Sequence, residues 1–209
     1  MMKYLSLFSG VGGFELGIKQ AYENKEIIQP KTTSTQRQRR NVSDGYIPMS
    51  GSDNVQTPPV CIGFSEIDKY ATQIYQKHFP NHKNYGDITK INEEELPDFD
   101  LLVGGAPCQS WSIAGKRKGL EDVRGQLVFE IIRILRGKKP KMFLLENVKG
   151  LLSHDKGKTM EIICEELCES GYAIDFEVLN SKNFGVPQNR QRVFIIGIRL
   201  DLLEEMQIF

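Results

Sequence analysis

Apolar and polar positions follow a regular succession along most of the chain. Residues 3–8 form an apolar run that breaks at Ser9-Gly10, and residues 12–22 then space their apolar side chains three and four apart. A run followed by that spacing predicts a strand and then a helix. The same alternation predicts a strand at 60–65, a helix at 69–78, a strand at 99–103, a helix at 123–136, a strand at 141–145 and a helix at 158–170. Two late strands near 173–179 and 193–198 complete the series, and a short extra strand is expected just before Asp87. Strands alternating with helices predict a doubly wound parallel sheet with helices on both faces, in one domain spanning 1–209. The stretch 24–59 does not fit: it is rich in Gln, Ser, Thr, Asn, Pro and Arg, carries Gln36-Arg37-Gln38-Arg39-Arg40, and reads as a disordered insertion.

Composition narrows the picture. With 40% hydrophobic and 26% charged residues, the chain cannot be disordered throughout. Lys+Arg and Asp+Glu both number 27, so any attraction to nucleic acid must come from local basic clusters or from a partner. The longest apolar runs, at 142–145 and 193–198, are strand-sized, and the N-terminal run is too short for a signal-peptide core; a cytoplasmic protein without a membrane span is expected. The four cysteines, Cys61, Cys108, Cys164 and Cys168, form no Cys-x-x-Cys pair, which speaks against structural zinc. The spacing of Cys164 and Cys168 suits a redox pair or, as the simpler reading, one buried helix face.

Candidate chemistry gathers where strands end. The turn Phe8-Ser9-Gly10-Val11-Gly12-Gly13 lets the backbone approach a ligand at a helix N-terminus, as nucleotide, nicotinamide and S-adenosylmethionine sites all do. The second strand ends at Glu66-Ile67, placing a carboxylate where ribose hydroxyls can be accepted, and Asp87-Ile88 offers an acceptor for an adenine amino group. The strand before Gly104 runs into Pro107-Cys108-Gln109, which sets a thiol at the edge of the crevice. Glu146-Asn147-Val148 follows the next strand, and alternation puts Arg190 and Arg192 on one side of an extended segment.

The four motifs Phe8-Ser9-Gly10-Val11-Gly12-Gly13, Pro107-Cys108-Gln109, Glu146-Asn147-Val148 and Gln188-x-Arg190-x-Arg192, in this order, resemble the DNA cytosine-5 methyltransferase family. The resemblance runs from about residue 3 to residue 199. It implies a Rossmann-like class I S-adenosylmethionine-dependent methyltransferase fold, S-adenosylmethionine as cofactor, double-stranded DNA as partner, and a place in a bacterial restriction-modification system. It also implies roles. Cys108 would add to cytosine C6, Glu146 would bond the N3 and N4 edge, Arg192 would hold O2, and Arg190 would support the pocket. For the cofactor, Phe8 would pack on adenine, Ser9, Gly10, Gly12 and Gly13 would admit the methionine end, Glu66 would bind ribose, and Ile67 would cover the adenine face. Asp87 and Ile88 would meet the adenine edge, and Pro107 would border both cofactor and base. Asn147 and Gln188 would brace the site, and the glycine-bearing stretch 110–125 with Lys116-Arg117-Lys118 resembles a loop that closes on the substrate.

The family's target-recognition region and its returning closing segment are not found after the last strand, so a split or truncated enzyme completed by a second polypeptide is expected. Two other readings stand beside the DNA enzyme: an RNA cytosine-5 methyltransferase and an inactive binding or regulatory homologue.

Overall fold

A computed structural model describes residues 1–23, 57–107 and 123–206. Six strands form one sheet: β1 (Lys3–Leu7), β2 (Val60–Ser65), β3 (Leu101–Gly104), β4 (Met142–Val148), β5 (Tyr172–Asn180) and β6 (Gln191–Arg199), in the order β2-β1-β3-β4-β6-β5. The helices are α1 (Gly13–Glu23), α2 (Lys69–His78), α3 (Val123–Lys138), α4 (Lys158–Glu169) and α5 (Leu200–Met206). Order reverses at β1, which feeds α1 outward to β2 while β3 lies on its other side; the carboxyl ends of β1 and β3 therefore flank a crevice.

The sheet is mixed rather than all parallel. β1 to β4 pair in parallel, but β6 runs antiparallel to both β4 and β5. The cause is the connection: β5 returns to β6 through the short 3-10 turn Ser181–Phe184, too short for the helical crossover that a parallel neighbour requires. The extra strand expected before Asp87 is reduced to one parallel bridge between Phe64 and Asn84. Much of the 24–59 insertion lies outside the described residues; its end, at 57–59, leads into β2.

One face of the sheet is thoroughly covered. Leu5 and Leu7 of β1, Phe143 and Leu145 of β4, and Val193 and Ile195 of β6 pack with Ile131, Ile134 and Leu135 of α3 and with Met160, Ile163 and Leu167 of α4. The buried stripe of α4 bypasses its cysteines: Cys164 is half-buried and Cys168 is exposed, so the two do not mark the buried face. Among the described residues, the face toward α1 and α2 is covered only over β1 and β2. There Phe64 stacks on Tyr75 with ring centroids 3.8 Å apart, and the Tyr75 hydroxyl donates to Glu15 Oε1 at 2.9 Å. Glu15 is the one buried residue of α1. Farther along, Met142, Leu144, Ile196 and Ile198 share the uncovered face, and Ile196 is 45% exposed.

Gly197 sits directly opposite Phe143 on the covered side, where a Cβ would lie 2.1 Å from the ring. The Phe143 ring fills that place and meets Tyr172 edge-on at 5.2 Å. Gly197→Ala is expected to lower stability by about 1–3 kcal/mol through overpacking, measured by urea unfolding.

Candidate active site

The crevice begins where β1 ends. Phe8 takes a left-handed conformation with φ of 52°, an uncommon state for a bulky residue, and turns the chain sharply into the glycine segment. Gly12 has φ of 95°, and a Cβ on it would lie 2.8 Å from the Phe79 ring, so both backbone and packing demand glycine there. The Gly10 amide donates to Glu66 Oε2 at 2.9 Å, tying this turn to the end of β2.

Glu66 is held from both sides. Its Oε1 accepts from the Ile67 and Asp68 amides at 2.9 and 2.8 Å. A carboxylate has about four acceptor directions; three are taken by backbone, which fixes the group's orientation and leaves room for one further donor. Asp87 is fixed in a similar way, its Oδ1 accepting from the Thr89 amide at 3.0 Å and the Thr89 hydroxyl at 2.9 Å. Those bonds hold its carboxyl below the usual range. Phe8, Glu66, Ile67, Asp87, Ile88 and Pro107 line one cavity of about 310 Å³. Ile67 is 77% exposed at its rim.

A second cavity, of about 640 Å³, adjoins the first at Phe8 and Gly105 and includes Ser9, Gly13, Glu146, Arg190 and Phe194, with the α1 residues Phe14, Gly17, Ile18 and Ala21 as an apolar wall. A third, of about 360 Å³, shares Glu146, Arg190 and Phe194 and adds Arg192, Leu179, Ser181 and Phe184. The three together make a trench from the β2 edge to β6. Gly10 and Gly12 line none of these cavities.

Glu146 lies inside β4 rather than in a turn after it, because β6 pairs along β4 as far as Val148 opposite Arg192. Glu146 faces Phe194, so Arg192 is its diagonal neighbour on the same face. The outcome is an ion pair, Arg192 Nε to Glu146 Oε1 at 2.7 Å, with both side chains largely shielded from solvent. A Cβ at Gly105 would lie 3.1 Å from Glu146 Oε2, so the strand end beside the carboxylate has little room for a side chain. Asn147 points the opposite way, donating from Nδ2 to the Ala106 carbonyl at 3.4 Å. The segment bearing Arg190 is closed by Asn180 Nδ2 to Asn189 Oδ1 at 2.8 Å and by the Ser181 amide to the Arg190 carbonyl at 3.0 Å. Cys108, Gln109 and the run Lys116-Arg117-Lys118 lie outside the described residues.

Two positioning side chains escaped the motif reading. Asn84 ties the end of β2 to the turn before Asp87 through its side-chain amide. Arg133 of α3 pairs with Glu93 and with Glu130, and donates to the Ile88 carbonyl at 3.0 Å, anchoring the far wall of the first cavity. Neither belongs to a motif, but Arg133 is a cation on a helix whose neighbouring positions are apolar, the one signal that hinted at a buried task.

The model of the family described as C-5 cytosine-specific DNA methylase matches residues 49–208. The chain belongs to this family. Among curated relatives, the orphan methyltransferase M.SPRI of Bacillus phage SPR is 45% identical over 205 residues, covering 97% of this chain and 39% of that protein. The type II methyltransferase M.BsuFI of Bacillus subtilis is 39% identical over 201 residues, covering 96% and 40%. The chain thus spans about two fifths of the length of these relatives. Among solved structures, the S. pombe Dnmt2 methyltransferase superposes with a TM-score of 0.66 at 21% identity, covering 96% of this chain and 51% of that one. The Entamoeba histolytica methyltransferase EhMeth superposes with a TM-score of 0.63 at 20% identity, covering 96% and 53%. The fold is that of the class I methyltransferases.

The Thr89 hydroxyl and amide hydrogen bonds lower the Asp87 pKa from the ordinary value of 3.8. Their contribution to stability is present above that value and lost as pH drops through the lowered pKa. Thr89→Ala removes the hydroxyl bond and is expected to move the Asp87 titration upward, toward the ordinary value, as followed by carboxyl carbon NMR.

Proposed function

We propose that this chain is the catalytic portion of a DNA cytosine-5 methyltransferase of a restriction-modification system, with S-adenosylmethionine as methyl donor and double-stranded DNA as substrate. The observation that carries the reading is the trench itself, which joins a nucleoside-sized cavity bearing two oriented carboxylates to a cavity bearing the Glu146–Arg192 pair. The donor set fits the cofactor: Glu66 and Asp87 are acceptors for ribose hydroxyl and adenine amino groups, Phe8 and Ile67 give apolar contact, and Ser9 and Gly13 border the adjoining space. When bound, S-adenosylmethionine supplies a methyl group activated by sulfonium.

Cytosine C5 is a weak nucleophile, so the chain's own residues must activate the ring. The Cys108 thiolate forms a bond to C6, and the ring's electron pair moves toward N3, which takes a proton at the Glu146 edge. Arg192 meets O2, where negative charge gathers. Once C5 has taken the methyl and S-adenosylhomocysteine is left, loss of the C5 proton to solvent, return of the N3 proton through Glu146 and cleavage of the sulfur–C6 bond restore the Cys108 thiolate. Arg190 makes no ion pair among the described residues and borders both the second and third cavities, free to support the base or its phosphate. The target must leave the duplex to reach this trench, at a cost of a few kcal/mol.

DNA reading and full turnover are assigned to a region outside these 209 residues, on the same or a second polypeptide. Two observations support this: the greater length of the relatives, and the apolar face formed by Met142, Leu144 and Ile196 beside the wall of α1, which nothing among the described residues covers. Its fitting occupant is a segment of that region with an apolar side.

Duplex DNA carrying 5-fluorocytosine, incubated with S-adenosylmethionine and the chain joined by that region, is expected to form a covalent complex. Cys108→Ser should abolish it; trapping that survives the substitution would refute the nucleophile, and trapping on RNA alone would replace the DNA reading. Glu146→Gln is expected to slow methyl transfer by about 10²-fold or more, read in single-turnover assays.

A further inference from the structure

We propose that Asn84 is a positioning residue that links the ribose-side acceptor to the adenine-side acceptor and so sets the preference for adenine; the inference rests on reading the first cavity as the S-adenosylmethionine site. A doubly wound sheet would place another full strand beside β2. Here the chain makes one bridge, with the Phe64 amide donating to the Lys83 carbonyl at 2.8 Å and the Tyr85 amide donating to the Phe64 carbonyl at 2.7 Å, and backbone pairing then stops. Glu66, two residues on, would be left without a backbone partner on that side.

The Asn84 side chain takes the place of the missing strand. Its Nδ2 donates to the Glu66 carbonyl at 3.0 Å, and its Oδ1 accepts from the Glu66 amide at 3.3 Å and the Gly86 amide at 2.8 Å. A carboxamide carries the donor and acceptor of a peptide group, so it can imitate one more residue of a ladder. Ser65 Oγ completes the connection by donating to the Gly86 carbonyl at 2.6 Å. Both cofactor-facing carboxylates thus belong to one small hydrogen-bonded unit: Glu66 directly, and Asp87 through Gly86, whose φ of 74° swings the chain toward the cavity. Aspartate at 84 would keep the size and lose the donor, setting two oxygens against each other; glutamine would be a methylene too long.

The test is calorimetric titration of the chain joined by the region that covers its apolar face, with S-adenosylhomocysteine and with S-inosylhomocysteine, in which the 6-amino group is replaced by oxygen, alongside thermal unfolding. The unaltered chain is expected to prefer the adenosyl ligand. Asn84→Asp and Asn84→Ala are expected to weaken the adenosyl ligand by about tenfold, the worth of one or two hydrogen bonds, and to erase most of the preference. Asp87→Ala should then cost far less affinity on the Asn84→Ala background than alone. A folded Asn84→Asp chain that keeps its preference, or costs for Asn84→Ala and Asp87→Ala that simply add, would overturn the proposal while leaving the cofactor reading intact. Failure of the unaltered chain to bind either ligand would overturn the cofactor reading, and this inference with it.

Discussion

The direction of β6 is the constraint on which the chemical end of the trench depends. Antiparallel pairing with β4 sets Arg192 opposite Val148, one diagonal step from Glu146, and a guanidinium and a carboxylate so placed close to 2.7 Å. A parallel β6 would require a long crossover and would carry its N-terminal residues to the other end of the sheet. The two oppositely charged groups also answer each other's desolvation, which lets both sit largely out of water on the floor of an apolar trench.

The β2 end of the trench solves a different problem. Its carboxylates are oriented by neighbouring hydrogen-bond donors: the Gly10, Ile67 and Asp68 amides for Glu66, and the Thr89 hydroxyl and amide for Asp87. Amide dipoles orient a carboxylate without competing as bulky ligands for the adjoining space. The glycine segment therefore does more than give way to a ligand, since its Gly10 amide ties the turn after β1 to the end of β2.

Much of the architecture was legible in the sequence because the alternation of strand and helix patterns is strong from residue 60 onward. Strand boundaries and sheet direction were less so. The strand at 141–145 extends to Val148 only because β6 pairs with it, and no local property of Glu146-Asn147-Val148 announces that partner. A short strand was expected just before Asp87; the structure keeps one bridge there, between Phe64 and Asn84, and gives the remaining pairing to the Asn84 side chain. Asn84 and Arg133 act through backbone carbonyls and amides of other segments, contacts set by tertiary folding and invisible to a motif. The sequence placed Glu66, Glu146, Arg190 and Arg192 at or near strand ends, and the structure sets them, with Asp87, along one trench.

The first helix carries a consequence of its own. It buries a carboxylate, Glu15, while Phe14, Ile18 and Ala21 border an unfilled apolar space with Leu144 and Phe194. Such a surface is sticky in water, and a newly made chain that presents it to its neighbours is a substrate for chaperones and a seed for clumping. Whatever covers that surface therefore shields the domain from aggregation at the same time as it closes the apolar wall.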